Sequence, residues 1–405
     1  MEILRRDRIK LVYVLSDSPI KPCGGLGERL RKLLPMIKEH CDVFIYCAGE
    51  GGVYDGIEVK AIDIECPDYG NPYPFFYTNF VLDNPPPFSP DVVIATDYGT
   101  IMAAKALASI HGAKLVTEFH LAYYSLKKAI KEHELVGEMK LDQAARLVYL
   151  IEQIGATSSD LVIGCSTNYV NDLPWETKKA VAIQNGIDAE KYKGDHKPFK
   201  FEGGKKRNLV FIGRMNTQKG IKYLFDYYAV HEGRRRYLAR IPDSERLILP
   251  EDTALHFVGG PIGGDQWDSM LETVKNSDQK FHIPFVSGQE KIDLLKSADA
   301  IIFPSVHEPF GIVGLEAFAA GVPLITSMVD GIADYANEYN SIRCELSSAG
   351  VRSAIDRLFS MPESERRAMI ENGFKTAERF NWKDIAEQFI LELRSLTNGD
   401  DLRTS

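Results

Sequence analysis

Residues Pro304–Tyr335 read PSVHEPFGIVGLEAFAAGVPLITSMVDGIADY. The run before them, ADAIIF at Ala298–Phe303, is short and apolar, as a strand buried on both faces of a parallel sheet should be. A polar turn follows at Pro304–His307. Ile312–Ala320 then has an apolar helical pattern, Gly321 is placed to end that helix as a cap, and Val322–Thr326 reads as the next strand. A helix that begins at Phe310–Gly311 points unpaired backbone N–H groups forward, which makes an anion site. Glu308 lies on the loop before the helix and Glu316 one to two turns into it, eight residues apart, so both can face one cleft.

The same alternation of short apolar runs and helices recurs along the chain. Ile9–Leu15 is a strand, followed by the glycine-rich SDSPIKPCGGLGE and a helix over Arg29–Glu39, which is the first unit of a doubly wound sheet. Further strands are expected at Asp42–Cys47, Asp91–Ala95, Lys114–Thr117 and Leu161–Cys165, with a hairpin around Asp55–Gly56. Residues 67–90, rich in Pro, Tyr and Asn, read as a loop, and 126–158 as helical. Residues 185–204 are polar without apolar period and read as a linker. After it Asn208–Ile212 opens a second series of strands. The expectation is an α/β chain of two Rossmann-like halves, 1–190 and 205–378, facing across a deep cleft. Residues 372–393 read as helical.

The 405 residues exceed one ordinary core, and 44% hydrophobic with 26% charged residues is ordinary for a soluble globular protein. A net charge of −9 argues against a general nucleic-acid binder. No apolar run is long enough to span a membrane, and the N-terminus lacks the long apolar region of a signal peptide. The six cysteines contain no CxxC pair. They read as thiols in a reducing cytoplasm rather than a zinc site or disulfide framework.

Several phrases carry a resemblance: Lys21–Glu28 (KPCGGLGE), the Asp97 and His120 loops, Cys165–Val170 (CSTNYV), Asn185–Asp188 (NGID), Phe211–Gly220 (FIGRMNTQKG) and the opening stretch. Together they resemble retaining, nucleotide-sugar-dependent glycosyltransferases of the GT-B fold, which have two glutamates eight residues apart around a Phe-Gly pair. Within that group the chain looks most like glycogen and starch synthases of the compact archaeal type.

The resemblance implies transfer of a sugar, glucose first, from UDP- or ADP-glucose to an acceptor hydroxyl, with retention at the anomeric carbon. It implies that Arg214 and Lys219 bind the donor phosphates. Gly24 and Gly25 form a second phosphate-facing turn, with Lys21 beside them. Lys21 is followed by two residues before the glycines, where the family usually has one. Glu308 is expected at the sugar ring, the amides of Phe310, Gly311 and Ile312 on donor oxygens, and Glu316 on the ribose hydroxyls. His120 is expected beside the reaction centre and Asp97 in an acceptor-side loop. Asp97 reads equally as the N-cap of the helix that begins near Gly99. The family's last helix, 380–395 here, is expected to pack back on the first half. No Asp-x-Asp metal loop stands out, so no metal and no permanently bound cofactor are expected, the nucleotide sugar being a co-substrate. A carbohydrate acceptor is the first expectation. Alternatives are a lipid, a small sugar or sugar phosphate, or a protein acceptor, and a nucleotide-sugar epimerase on the same fold. Arg234–Arg236 lie in a charged insertion, read as a solvated face or an acceptor contact.

Overall fold

The computed structural model describes residues 8–21, 25–62, 73–132, 143–232, 235–260 and 264–398. Two compact units divide the chain: Met1–Gly186 with Trp382–Ser405, and Ile187–Asn381.

The first unit runs β1 (Ile9–Leu15), α1 (Gly25–Ile37), β2 (Cys41–Ala48), β3 (Gly52–Tyr54), β4 (Ile57–Ile62) and α2 (Tyr73–Asp83). It continues with β5 (Val92–Ala95), α3 (Tyr98–His111), β6 (Lys114–Phe119), α4 (Tyr123–Glu132), α5 (Gln143–Ser158), β7 (Leu161–Gly164), α6 (Thr167–Asn171) and β8 (Ala180–Ala182). Its sheet has the order β3-β4-β2-β1-β5-β6-β7-β8. Every described pairing is parallel except the β3–β4 hairpin, whose turn residues Asp55 (φ 49°) and Gly56 (φ 80°) both adopt the left-handed backbone that such turns require.

The second unit holds β9 (Arg207–Ile212), β10 (Tyr227–Glu232), β11 (Arg235–Arg240), β12 (Thr253–Val258), α7 (Gly264–Lys275), β13 (Lys280–Ile283), α8 (Gly288–Ser297) and β14 (Ala300–Phe303). It ends with α9 (Ile312–Ala320), β15 (Leu324–Thr326), β16 (Ile342–Arg343), α10 (Ser348–Ser360) and α11 (Glu363–Arg379), after which α12 (Trp382–Thr397) belongs to the first unit. Its main sheet, β13-β12-β9-β14-β15-β16, is parallel throughout. Leaving aside the β10–β11 hairpin, that is the doubly wound order 3-2-1-4-5-6. The strands are apolar without alternation because both sheet faces are covered; every residue of β12 and β14 is buried.

Three differences from the sequence expectations have clear causes. Residues 73–83, expected in a loop, form α2: its sequence YPFFYTNFVLD is apolar with no helical stripe, and it is placed by Tyr77, whose hydroxyl donates to the Leu15 carbonyl at 2.8 Å. The charged insertion forms the β10–β11 hairpin. There Arg236 stays exposed, as a solvated face should, and also pairs with Asp265 and Asp268 of α7 at 2.7 and 2.6 Å. The segment expected to be helical over 372–393 is two helices, the second close to the last helix expected at 380–395. They part at Phe380–Asn381, where the Ile187 N–H donates to the Phe380 carbonyl at 2.7 Å.

The first core joins Leu11, Tyr13 and Leu15 of β1 to Leu30, Leu33, Leu34 and Ile37 of α1 and to Trp382, Ile385, Phe389, Ile390 and Leu393 of α12. Trp382 occupies the space a side chain at Gly186 would need. No helix among the described residues is long and apolar enough to cross a membrane.

Candidate active site

In a doubly wound sheet the crevice opens beyond the carboxyl ends of the strands where the order reverses. In the second unit that point lies between β9 and β14. The loop after β9 carries Arg214 and Lys219, and the loop after β14 carries Glu308.

The two loops are joined by the main chain. The Val306 and His307 N–H groups donate to the Gln218 carbonyl at 2.8 and 3.2 Å. Gly220 (φ 63°) passes so close to the Pro304 carbonyl that no Cβ fits there. Lys219 ends a 3-10 turn over Thr217–Lys219, capped by Asn216, whose side chain accepts the Lys219 N–H. Its ammonium donates to Glu308 Oε2 and lies 5.4 Å from the centre of the Phe303 ring. Glu308 is buried, and Ser305 Oγ is 3.4 Å from the same oxygen. Arg214 is exposed and its guanidinium makes no ion pair among the described residues.

Gly311 (φ 84°) is the N-cap of α9 and has no side chain to close the first turn. A Cβ there would lie 2.8 Å from Glu308 Cγ and 3.0 Å from the Phe303 ring. Tyr335 donates to the Gly311 carbonyl at 2.5 Å, which fixes that peptide. The amides at the start of α9 therefore face forward beside Glu308, as an anion or hydroxyl site requires. The Phe310 ring is core, packed on Tyr335 and Phe380 at centroid distances of 5.5 and 5.9 Å, so only its backbone is free for a ligand.

Glu316 is held from another direction. Lys291 of α8 donates to its Oε1 at 2.6 Å, while Oε2 is buried and accepts no hydrogen bond from the described residues. Tyr192 lies against the same carboxylate; burial first, then the charge of Glu316, pushes its hydroxyl pKa up. One oxygen of Glu316 is thus fixed by Lys291, with the Tyr192 hydroxyl beside the carboxylate. Lys291 and Tyr192 lie beside Glu316 outside every phrase the sequence singled out, and Ser305, His307 and Asp330 lie inside the opening stretch without a role having been expected for them. All but Ser305, which faces Glu308 three residues on, act through a partner distant in sequence. The one local signal was the Asp330–Gly331 pair in a short turn after a strand.

In the first unit the order reverses between β1 and β5, and there Ser16 Oγ donates to Asp97 Oδ2. Asp97 Oδ1 accepts the Gly99 N–H at 2.8 Å and Thr100 completes a capping box, so Asp97 is the N-cap of α3. Burial raises its pKa, against the bonds from Ser16 and Gly99 and the nearby His120, which lower it. His120, just past β6, bonds through Nε2 to Glu118 Oε2 at 3.1 Å; Glu118 Oε1 is buried with no hydrogen-bond partner among the described residues. Glu152 of α5 accepts the N–H groups of Tyr123 and Tyr124 at 2.6 and 3.0 Å. Burial pushes its carboxyl up to about 8 against those two donors. Gly25 opens α1 with nothing within 4 Å of a would-be Cβ, and the Gly27 N–H is held by Asp17 Oδ2 at 3.1 Å. Lys21 is exposed, and Gly24 lies outside the described residues.

Residues 193–376 match the family described as Glycosyl transferases group 1. The chain is 27% identical over 309 residues to a glycogen synthase of Mycobacterium tuberculosis, an alignment that covers 73% of this chain and 67% of the relative. It is 23% identical over 415 residues to the alpha-maltose-1-phosphate synthase of Mycolicibacterium smegmatis, covering 94% and 97%. The solved Anabaena HepE, in complex with UDP and glucose, superposes with a TM-score of 0.70 at 16% identity, covering 96% of this chain and all of HepE. The fold is that of the GT-B glycosyltransferases.

Proposed function

We propose that this chain, which carries a group 1 glycosyltransferase domain, moves glucose from a nucleoside diphosphate sugar to an acceptor hydroxyl, and that the acceptor is the end of an α-1,4-glucan. The observation that carries the transferase reading is the meeting of Lys219, Glu308 and the open first turn of α9 where the second sheet reverses order.

In such a transfer the diphosphate leaves with negative charge while the anomeric carbon becomes cationic. Arg214, Lys219 and the α9 amides would stabilise the departing phosphates. Glu308 would act at the sugar ring, and the carboxylate of Glu316 would accept a ribose hydroxyl. No second carboxylate is assigned as a nucleophile, so retention is assigned to same-face substitution within an ion pair. In the first unit His120, held by Glu118, would lie beside the sugar. Lys21, Gly24 and Gly25 would approach the phosphates. The site as proposed needs no metal, and the nucleotide sugar is its only co-substrate.

The glucan acceptor rests on the likeness to a glycogen synthase. A second reading has its own support: the relative named for making maltose 1-phosphate matches nearly the whole chain, which favours a sugar phosphate acceptor. The test is nucleoside diphosphate release from UDP-glucose and ADP-glucose, with no acceptor, with glycogen and with glucose 1-phosphate. Release stimulated by glycogen supports the first reading, and release stimulated by glucose 1-phosphate alone supports the second. Binding of neither donor removes both.

A further inference from the structure

The loop that carries Glu308 is held mainly by the next crossover, through side chains. Strands β14 and β15 pair up to Phe303 and Thr326. Beyond that point side chains continue the pairing. Thr326 Oγ1 donates to the Phe303 carbonyl at 3.0 Å, and Ser327 Oγ to the Ser305 carbonyl at 2.5 Å. Asp330 Oδ2 then accepts two donors: the Glu308 N–H at 3.0 Å and His307 Nδ1 at 2.7 Å. The Gly331 N–H closes the series on the Glu308 carbonyl at 3.0 Å. Both polar main-chain groups of Glu308 are therefore bound by residues 330 and 331. Contact is close enough that a Cβ at Gly331 would collide with the Pro309 peptide.

The backbone of Asp330 is unusual for its residue type. Its φ is 44°, in the left-handed region, and Met328 two residues earlier has φ 55°. An L residue there costs on the order of 1–2 kcal/mol, and glycine is the residue the backbone alone would favour. What aspartate adds is the carboxylate, and that carboxylate is committed to His307 and Glu308. His307 is 1% exposed, so its ring has little freedom to leave this bond.

We propose that Asp330 is a positioning residue for the transfer reaction: with His307 it clamps the main chain of Glu308, so that the Glu308 carboxylate is presented at a fixed place between Lys219 and Ser305. The inference rests on the reading of Glu308 as the residue acting on the donor sugar. It adds the device that sets its geometry. A carboxylate on a loop of Pro, Ser and Val would otherwise be free to shift by the ångström or so that costs a catalytic group about a hundredfold in rate.

The choice of variants follows from the backbone. Asp330→Gly removes the clamp and also relieves the left-handed strain, so it is expected to fold, with a Tm near that of the parent. Asp330→Asn keeps an acceptor oxygen at the same reach, and asparagine tolerates this φ. Amide hydrogen exchange, which needs no substrate, reads the clamp directly. In Asp330→Gly, exchange across 305–312 should rise about tenfold or more, with 254–258 unchanged; in Asp330→Asn it should stay within about threefold of the parent. Turnover reads the consequence. Asp330→Gly should lose about tenfold or more in kcat while the donor KM and nucleoside diphosphate affinity hold within about threefold, and Asp330→Asn should recover kcat. Parent-like exchange or parent-like kcat in Asp330→Gly overturns the inference, as does a kcat loss matched by Asp330→Asn. If the parent consumes no nucleotide sugar, the proposed function falls, and the exchange measurement alone decides the clamp.

Discussion

Lys219 and Glu308 are each other's counterions: the ammonium from the loop after β9 donates to the carboxylate from the loop after β14, in a setting where their side chains are only 16% and 7% exposed. In the transfer reading one of them serves the leaving phosphate and the other the sugar ring. A diphosphate arriving at Lys219 must therefore compete with Glu308. Glu308→Ala should bind the free nucleoside diphosphate at least as tightly as the parent, with a gain of up to about fivefold, near 1 kcal/mol. The same variant should lose about a hundredfold or more in turnover. Calorimetry and a release assay measure the two. Weaker binding in this variant would show that the pair holds the phosphate site together rather than competing with it.

The Glu316 carboxylate has the opposite character, with one oxygen fixed by Lys291 on α8 and Tyr192 beside it. Lys291→Met keeps the length of the side chain and removes the donor. Glu316 then loses the donor that orients it. The expected result is a rise of about tenfold in donor KM with kcat nearly unchanged, because the contact serves donor and transition state alike. A fall in kcat at saturating donor would place Lys291 nearer the chemistry than its position on α8 suggests.

The β9–β14 contact that aligns these groups depends on Gly220, whose φ is 63° and whose Cα abuts the Pro304 carbonyl. Gly220→Ala meets both a left-handed backbone and a blocked Cβ. It should cost about 2 kcal/mol or more in urea unfolding and weaken nucleoside diphosphate binding together with it. Gly25→Ala, at the start of α1 with no described atom within 4 Å of the added Cβ, is the control and should leave stability within about 0.5 kcal/mol.

The parts legible in the sequence are those whose cause is local. Ile9–Leu15 is a strand because Leu11–Leu15 is a continuous apolar run, the Asp55–Gly56 turn follows from residue type, and Gly321 caps α9 in the left-handed conformation. The Glu308 and Glu316 pair was readable because its spacing lies within one loop and helix. What stayed hidden is held by distant partners. The β10–β11 hairpin reads as an irregular charge run until Asp265 and Asp268 are placed opposite the exposed Arg236. The break at Phe380–Asn381 depends on Ile187, and α2 on Leu15. Likewise nothing near Glu308 in sequence announces Asp330, and nothing near Glu316 announces Lys291.

His256 makes the stability of the second unit depend on pH. Its ring lies between Phe201 and Phe281, at centroid distances of 4.6 and 5.4 Å, and Nε2 bonds to Asn208 Oδ1 at 3.1 Å. Burial lowers its pKa from 6.5 to about 4. The unfolded chain therefore binds the proton first as pH falls. The contribution is complete above pH 6.5 and is lost on the way down to about pH 4, a change of about 3 kcal/mol at most. Between pH 7 and 4.5 the unfolding free energy of His256→Leu should fall by about 2 kcal/mol less than that of the parent, even if the variant is less stable at pH 7. Equal pH slopes would mean that the ring titrates normally in the folded chain.

Asp97 can be assigned by separating its cap from its charge. Both its oxygens are engaged inside the first unit, one by Ser16 and one by the Gly99 N–H at the start of α3. Asparagine is as good an N-cap as aspartate, whereas alanine loses the cap at about 1–2 kcal/mol. Asp97→Asn should therefore unfold like the parent, and Asp97→Ala should lose that amount in urea unfolding. If Asp97 serves only as the cap that orients the end of β5, turnover in Asp97→Asn should stay within about threefold of the parent. A loss of about a hundredfold with unchanged stability would instead give its charge a direct part on the acceptor side, next to His120, although burial raises the Asp97 pKa and His120 only partly opposes that rise.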